Sequence, residues 1–169
     1  MHPAATQHDS LEQLCPGVYF LHGSIQINPA VRINRNMIVL EHNGALTLIN
    51  PVRLNDAGLA ALDKLGKVTA LVRLGDFHGL DDAFYLERYA CALHGQQGSR
   101  IYKRVPPTVF FEDGSPGPVP DSEYFVFSTP TCPEAALLLK AHGLLITTDS
   151  LQHYHGPLRH FSLPAKLAF

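Results

Sequence analysis

Short apolar runs separated by turn residues open the chain, and their pattern predicts antiparallel strands. One run covers residues 18–22 and follows a Pro-Gly pair. Two more, over 36–42 and 45–50, are separated by Asn43-Gly44. An Asn-Gly pair between apolar runs is the strongest short-range signal for a β-hairpin. We therefore predict that the last two runs pair as a hairpin.

The next segment changes to helical spacing. Leucines recur every three residues over 56–65, with Asn55 or Asp56 as the N-terminal cap and Gly66 as the end of the helix. An apolar strand is predicted over 68–74, and a second helix over about 83–94. Because helix and strand alternate here, we expect a sheet whose outer face is covered by these helices.

The last part of the chain returns to strand-like composition. Residues 135–140 fit either a helix or a strand, and the short link to the following apolar run favours a hairpin. Two further strands are predicted from aromatic and β-branched content. The predicted strands of this part are 108–112, 123–128 and 144–148, with 135–140 as the hairpin partner of the last.

Composition limits the class of protein. The 169 residues are 46% hydrophobic and 17% charged, with a formal net charge of −2. These values predict one globular domain over 1–169, of class α/β (α+β), with no nucleic-acid partner. No apolar run approaches the ~20 residues of a membrane span, so no membrane partner is expected. The three widely spaced cysteines and the lack of a signal-peptide pattern at the N-terminus predict a cytoplasmic protein.

Two predicted strands end in carboxylate and imidazole side chains. Strand 68–74 is followed by Asp76, His78 and Asp81, and strand 144–148 is followed by Asp149. Residues just past the ends of core strands can converge in one crevice of a layered protein, and carboxylates with imidazoles suit a metal or acid–base site. We therefore expect His78 and Asp149 to lie within about 8 Å of each other.

Each of these side chains also has a purely structural interpretation. Asp76 can cap backbone N–H groups of a turn, and Asp81 can cap the second helix. His78 can simply hydrogen-bond a neighbouring carboxylate. Asp149 follows a strand predicted to be buried, where a charge is costly without a partner, so it either caps the next turn or belongs to a site.

This order of elements resembles the metallo-β-lactamase superfamily over most of the chain, from residue 16 to residue 151. The resemblance implies an αββα sandwich with the site at one edge, between two sheets. It also implies a divalent metal, most simply zinc, and hydrolysis of a small-molecule substrate.

The metal motif of that superfamily, His-x-His-x-Asp-His, is altered here. Asp76 stands at the first histidine, His78 keeps the second, Leu80 replaces the aspartate and Asp81 replaces the last histidine. The resemblance implies Cys132 at the next ligand. The remaining correspondences are Asp149 at the bridging aspartate, His160 near the last histidine, shortly before the chain ends, and Asn50 where many members have a supporting aspartate.

These replacements leave two hypotheses. In the first, the protein is a hydrolase that binds at most one metal ion through Asp76, His78, Cys132 and Asp149, with Asp149 acting in catalysis and Asp81 transferring a proton. His153 and His155 can replace lost ligands. In the second, the protein is an inactive relative without a metal that binds a small ligand or a protein partner in the same crevice.

Overall fold

Among the residues that the structure describes, ten strands and three helices form the framework of the fold. The computed structural model describes residues 2–128, 131–151 and 158–168, with residue 168 described for its backbone only. The strands are β1 (Glu12–Cys15), β2 (Val18–Gln26), β3 (Arg32–His42), β4 (Ala45–Ile49), β5 (Lys67–Val72), β6 (Ala92–Gly95), β7 (Val109–Phe110), β8 (Ser122–Val126), β9 (Ala135–Leu139) and β10 (Leu144–Ile146). The helices are α1 (Asp56–Leu65), α2 (Asp82–Tyr89) and α3 (Leu163–Ala168), and two 3₁₀ turns cover Asp76–His78 and Lys140–His142.

The strands form two sheets. Strands β1 to β7 lie in chain order in a seven-stranded sheet, and the other three lie in the order β10–β9–β8. Pairing is antiparallel from β1 to β4 and parallel from β4 to β7. The predicted hairpins over 36–50 and 135–148 are confirmed. No helix within the described ranges is long and apolar enough to cross a membrane.

Successive side chains of the large sheet point to opposite faces, and each face packs in its own apolar layer. In β4, Leu46 and Leu48 pack with Leu59 and Leu62 of α1, whereas Ile49 packs with residues of the small sheet. This is the two-residue period of a strand that is covered on both faces. The prediction that both central helices cover one face of this sheet is therefore confirmed, and the small sheet covers the other face.

Helix α1 begins and ends where its sequence predicts. The Asn55 side chain accepts a hydrogen bond from the N–H of Gly58 at 2.9 Å, and the N–H of Gly66 bonds the Leu62 carbonyl at 3.4 Å. A Cβ atom at residue 66 would lie 2.5 Å from the carbonyl oxygen of Gly44. Only glycine lets the chain enter β5 this close to the β3–β4 turn.

The second predicted helix, over 83–94, was wrong in its C-terminal part. Helix α2 ends at Tyr89, and Ala90 takes the left-handed conformation with φ of 47°. Residues 92–95 then form β6, which pairs in parallel with β5 and buries Leu93 completely. Packing in the sheet therefore overrides a local composition that suits a helix equally well.

Other boundaries differ more modestly. Strand β1 was not predicted, and β2 and β3 are longer than expected. The predicted strand 108–112 is reduced to two residues, and 144–148 to three. Strand β10 is a sheet edge on which Leu145 is 51% exposed, so the assumption that Asp149 follows a buried strand was wrong.

A histidine on β6 predicts how stability depends on pH. Burial lowers the pKa of His94 below its usual value, so the folded chain binds fewer protons there than the unfolded chain. Stability should therefore be full above the unfolded pKa of about 6.5 and should fall as the pH decreases below it. In urea unfolding at several pH values, His94→Asn should lose part of this slope, whereas His42→Asn, at an exposed turn, should keep it. Equal slopes in all three proteins would contradict the prediction.

Candidate functional site

The end of β5 in the large sheet is bonded directly to the start of β9 in the small one. The N–H of Ala135 donates to the Leu74 carbonyl at 2.8 Å, and the N–H of Asp76 donates to the Pro133 carbonyl at 3.1 Å. These bonds join the two sheets at one edge of the sandwich. The loop that carries Asp76 and His78 is therefore held against the segment before β9.

His78 and Asp149 meet at this edge. Nε2 of His78 lies 3.5 Å from Oδ2 of Asp149, with the side chains 18% and 49% exposed. A Cβ atom at Gly75 would lie 3.1 Å from the His78 ring and 3.3 Å from the Thr148 hydroxyl, which shows how closely the two loops approach. The predicted proximity of His78 and Asp149 is confirmed, while their chemical roles stay predictions.

Glu134 holds the turn on which Asp149 lies. Its carboxylate accepts a hydrogen bond from the N–H of Ser150 at 2.9 Å and from the hydroxyls of Thr148 and Ser150. Glu134 is only 8% exposed, and its own backbone forms an isolated bridge to Gly75. One buried residue thus ties the Asp149 turn to the strand end that precedes His78. Sequence analysis missed it, because nothing local marks Glu134 as different from a surface glutamate.

The Asp76 carboxylate accepts three hydrogen bonds from the loop at residues 99–101. Oδ1 accepts from the Ser99 hydroxyl at 2.5 Å, and Oδ2 accepts from the N–H groups of Arg100 and Ile101 at 2.8 and 3.3 Å. The residue is 3% exposed. This is the capping role that was one of its two interpretations, with the capped N–H groups in a loop some 24 residues away. A metal ion would have to compete with all three donors.

Asp81 forms a buried ion pair. Its Oδ2 accepts from the guanidinium of Arg35 and, at 2.9 Å, from the N–H of Arg53. The Arg35 and Asp81 side chains are 6% and 4% exposed. Asp81 makes no side-chain cap on α2, so its predicted capping was wrong. Because the carboxylate is enclosed and faces a permanent cation, it does not match the predicted role of a proton carrier either.

Asp82 forms a second buried pair beside the first. Its Oδ2 lies 2.7 Å from Nε of Arg73 and 2.6 Å from the second guanidinium nitrogen, with the carboxylate fully enclosed. Burial raises the pKa of Asp82 above its ordinary value, and the charge of Arg73 partly offsets this. Two guanidinium groups are therefore paired with the two consecutive carboxylates at the start of α2.

The other predicted residues have different surroundings. Asn50 takes the left-handed conformation and accepts from the N–H of Leu74 at 3.0 Å, so it stabilises the end of β5. Cys132 is a partly buried free thiol, and its role as a ligand stays a prediction. Nε2 of His160 lies 3.2 Å from Oδ1 of Asp9, while the backbone of His160 is bonded to β3. His153 and His155 lie outside the described residues.

Among the predicted ligands in the described residues, two side chains, those of His78 and Asp149, are placed so that they could bind the same metal ion. Nε2 of His78 is buried and makes no hydrogen bond among the described residues. Its 3.5 Å separation from the Asp149 carboxylate matches the distance of about 3.3–3.6 Å between neighbouring ligands of a tetrahedral ion with bonds of about 2.0–2.2 Å. Across residues 2–128, 131–151 and 158–168, however, no group of three or more His, Cys, Asp or Glu side chains is arranged for a metal. His78 and Asp149 are close enough to share one ion, whereas the carboxylates of Asp76 and Asp81 face other partners.

Sequence comparison alone gives no relative for this chain. No family model matches it, and no curated protein matches it.

Comparison with solved structures is informative. The DIM-1 metallo-β-lactamase superposes over 93% of this chain and 77% of its own, with a TM-score of 0.73 and 9% identity. TMB-1 covers 89% and 74% respectively, with a TM-score of 0.69 and 11% identity. The metallo-β-lactamase FIM-1 from Pseudomonas aeruginosa, solved in a mono-zinc form, covers 85% and 69%, with a TM-score of 0.63 and 11% identity. The predicted fold class is confirmed: this chain has the metallo-β-lactamase fold.

Proposed function

We propose that the edge formed by His78 and Asp149 is a hydrolytic site that binds one divalent metal ion, most simply zinc. The observation that carries the proposal is the 3.5 Å approach of Nε2 of His78 to the Asp149 carboxylate, since this nitrogen is buried and makes no hydrogen bond to another described residue. The fold supports it, because the structures similar to this chain are metallo-β-lactamases. A small-molecule substrate with an ester, amide or related bond, and a cytoplasmic location, belong to the same proposal.

His78 and Asp149 would hold the ion, and a bound divalent ion lowers the pKa of its water towards neutrality. Asp149 is half exposed, so its carboxylate can also accept a proton from a substrate or from solvent. Glu134 keeps Asp149 in place through the Ser150 N–H. Asp76 and Asp81 act as structural groups and take no part in proton transfer.

With only His78 and Asp149 as protein ligands, the metal ion should bind weakly. Catalytic zinc sites normally have three protein ligands, and each ligand adds affinity. We therefore expect an ion that exchanges easily and is lost during purification with a chelator. Stoichiometric occupancy should require added metal.

The test is metal analysis of protein purified without an affinity tag, followed by zinc titration. Wild-type protein should take up at most one ion per chain, and His78→Ala should abolish uptake while changing thermal stability little, since the side chain lies at a partly exposed loop. His42→Ala, at the opposite edge, is the matched control and should bind like wild type. Two tightly bound ions, or equal uptake by His78→Ala, would contradict the proposal.

A second function is favoured by a specific observation. The carboxylates of Asp76 and Asp81 already have strong partners in the loop at 99–101 and in Arg35. Because these two carboxylates already have partners, the edge also suits a metal-free relative of the metallo-β-lactamases that binds a small ligand in the crevice. Wild-type protein that takes up no ion at any zinc concentration would favour this second function.

A further inference from the structure

A thiol and an imidazole meet at the edge of the sandwich opposite His78. Sγ of Cys15, at the end of β1, lies 3.6 Å from Nδ1 of His142. The two residues are 127 positions apart in the chain, and they belong to the large sheet and to the turn after β9 respectively. This distance is within hydrogen-bond range for sulfur, so the imidazole can accept the thiol proton.

A cavity lies beside this pair. It has a volume of about 230 Å³ and lies between the turn before β2, the end of β3 and the loop before β8. His142 itself lines the cavity, and Pro16, which follows Cys15, lines it too. The titratable and charged side chains that line the cavity from its three sides are Glu41, His42, Asp121 and His142. Lys140, on the same 3₁₀ turn as His142, is paired with Glu123.

Backbone contacts hold both members of the pair. On one side, Gly17 has φ of +74° and its carbonyl accepts from the N–H of Glu41 at 2.8 Å. A Cβ at Gly17 would lie 2.8 Å from the Glu41 carbonyl oxygen, so only glycine allows this turn after Cys15. On the other side, Gly143 has φ of +59° and its N–H donates to the Lys140 carbonyl. The thiol and the imidazole are therefore placed by fixed turns.

The chain has two further cysteines, Cys91 and Cys132. Burial raises the pKa of the Cys91 thiol, which makes it a poor nucleophile at neutral pH. Cys132 is a free thiol in the loop before β9. The reactivity of the Cys15 thiol can therefore be compared with that of Cys91 and Cys132 in the same protein.

We propose that Cys15 and His142 form a nucleophilic thiol site that reacts by exchange with small neutral disulfides. The Cys15 thiol gives its proton to Nδ1 of His142, and the thiolate attacks one sulfur of the disulfide. A new S–S bond forms to Cys15 while the original S–S bond breaks. The second sulfur leaves as a thiolate and takes the proton from His142. A neutral disulfide is favoured over an anionic one because the carboxylates of Glu41 and Asp121 line the cavity.

The test uses 4,4′-dithiodipyridine, a small neutral disulfide whose released thiopyridone is measured by absorbance. In a Cys91→Ala/Cys132→Ala background, the second-order rate at neutral pH should fall at least about tenfold on adding His142→Ala, because the proton acceptor is lost. His22→Ala, a histidine on β2 away from the cavity, is the matched control and should leave the rate unchanged.

A second measurement keeps the outcome clear if the double alanine background folds poorly. Wild-type protein treated with less than one equivalent of the reagent and digested should carry the label first on Cys15. Equal rates with and without His142, or first labelling of Cys132 or Cys91, would overturn the proposal. Neither result depends on metal binding at His78.

Discussion

Replacing Arg35 by methionine is expected to lower the free energy of unfolding by about 3–5 kcal/mol, since it leaves the buried Asp81 carboxylate without its cation. Methionine keeps much of the side-chain volume, so the loss should come mainly from the unpaired charge. The Arg35 guanidinium also donates to the carbonyls of Pro51 and His78, at 2.9 and 3.2 Å. The same change therefore leaves two further acceptors without their donor.

The matched control is Arg88→Met, which removes an ion pair of the same type at the surface. Arg88 and Asp63 are 37% and 42% exposed, and such pairs contribute about 0–1 kcal/mol. Both variants would be compared with wild type by urea unfolding. If Arg35→Met were no more destabilising than Arg88→Met, the buried pair would not stabilise this edge as described. Arg35→Met should also weaken zinc uptake, because the Arg35 guanidinium holds the backbone of His78.

Replacing Leu93 by alanine is the second change with a large expected effect, about 2–5 kcal/mol of unfolding free energy. Leu93 is completely buried on β6, where it packs in the layer between the large sheet and the helices. Truncation would leave a cavity in a layer that is held from both sides and cannot easily collapse.

The control for this variant is Leu145→Ala on the edge strand β10. Leu145 is 51% exposed, so its truncation should cost less than about 1 kcal/mol. Chemical unfolding of both variants gives the comparison. A small effect for Leu93→Ala would show that residues 92–95 are not packed as a strand of this sheet. It would instead support the longer helix over 83–94 that the sequence pattern predicted.

The fold was largely predictable because its signals are local. The Asn43-Gly44 turn, the leucine spacing of α1 and the stop at Gly66 each depend on neighbouring residues, and each is found as predicted. The end of α2 was not predictable, because residues 92–94 suit a helix locally and form a strand only when they pair with β5. The resemblance to metallo-β-lactamases came from the order of elements, which is a property of the whole chain.

For the candidate site too, some features could be predicted from the sequence and others could not. The sequence by itself determined that carboxylates and an imidazole follow two strands, and from this came the correct expectation that His78 and Asp149 lie close together. Only the tertiary structure showed that the carboxylates of Asp76 and Asp81 have strong partners of their own. Asp81 is engaged by Arg35, 46 residues away, and Asp76 by the backbone at Arg100, 24 residues away. The physical reason is that strand packing sets such contacts between distant residues, whereas a local pattern records only the type of side chain and its position along an element.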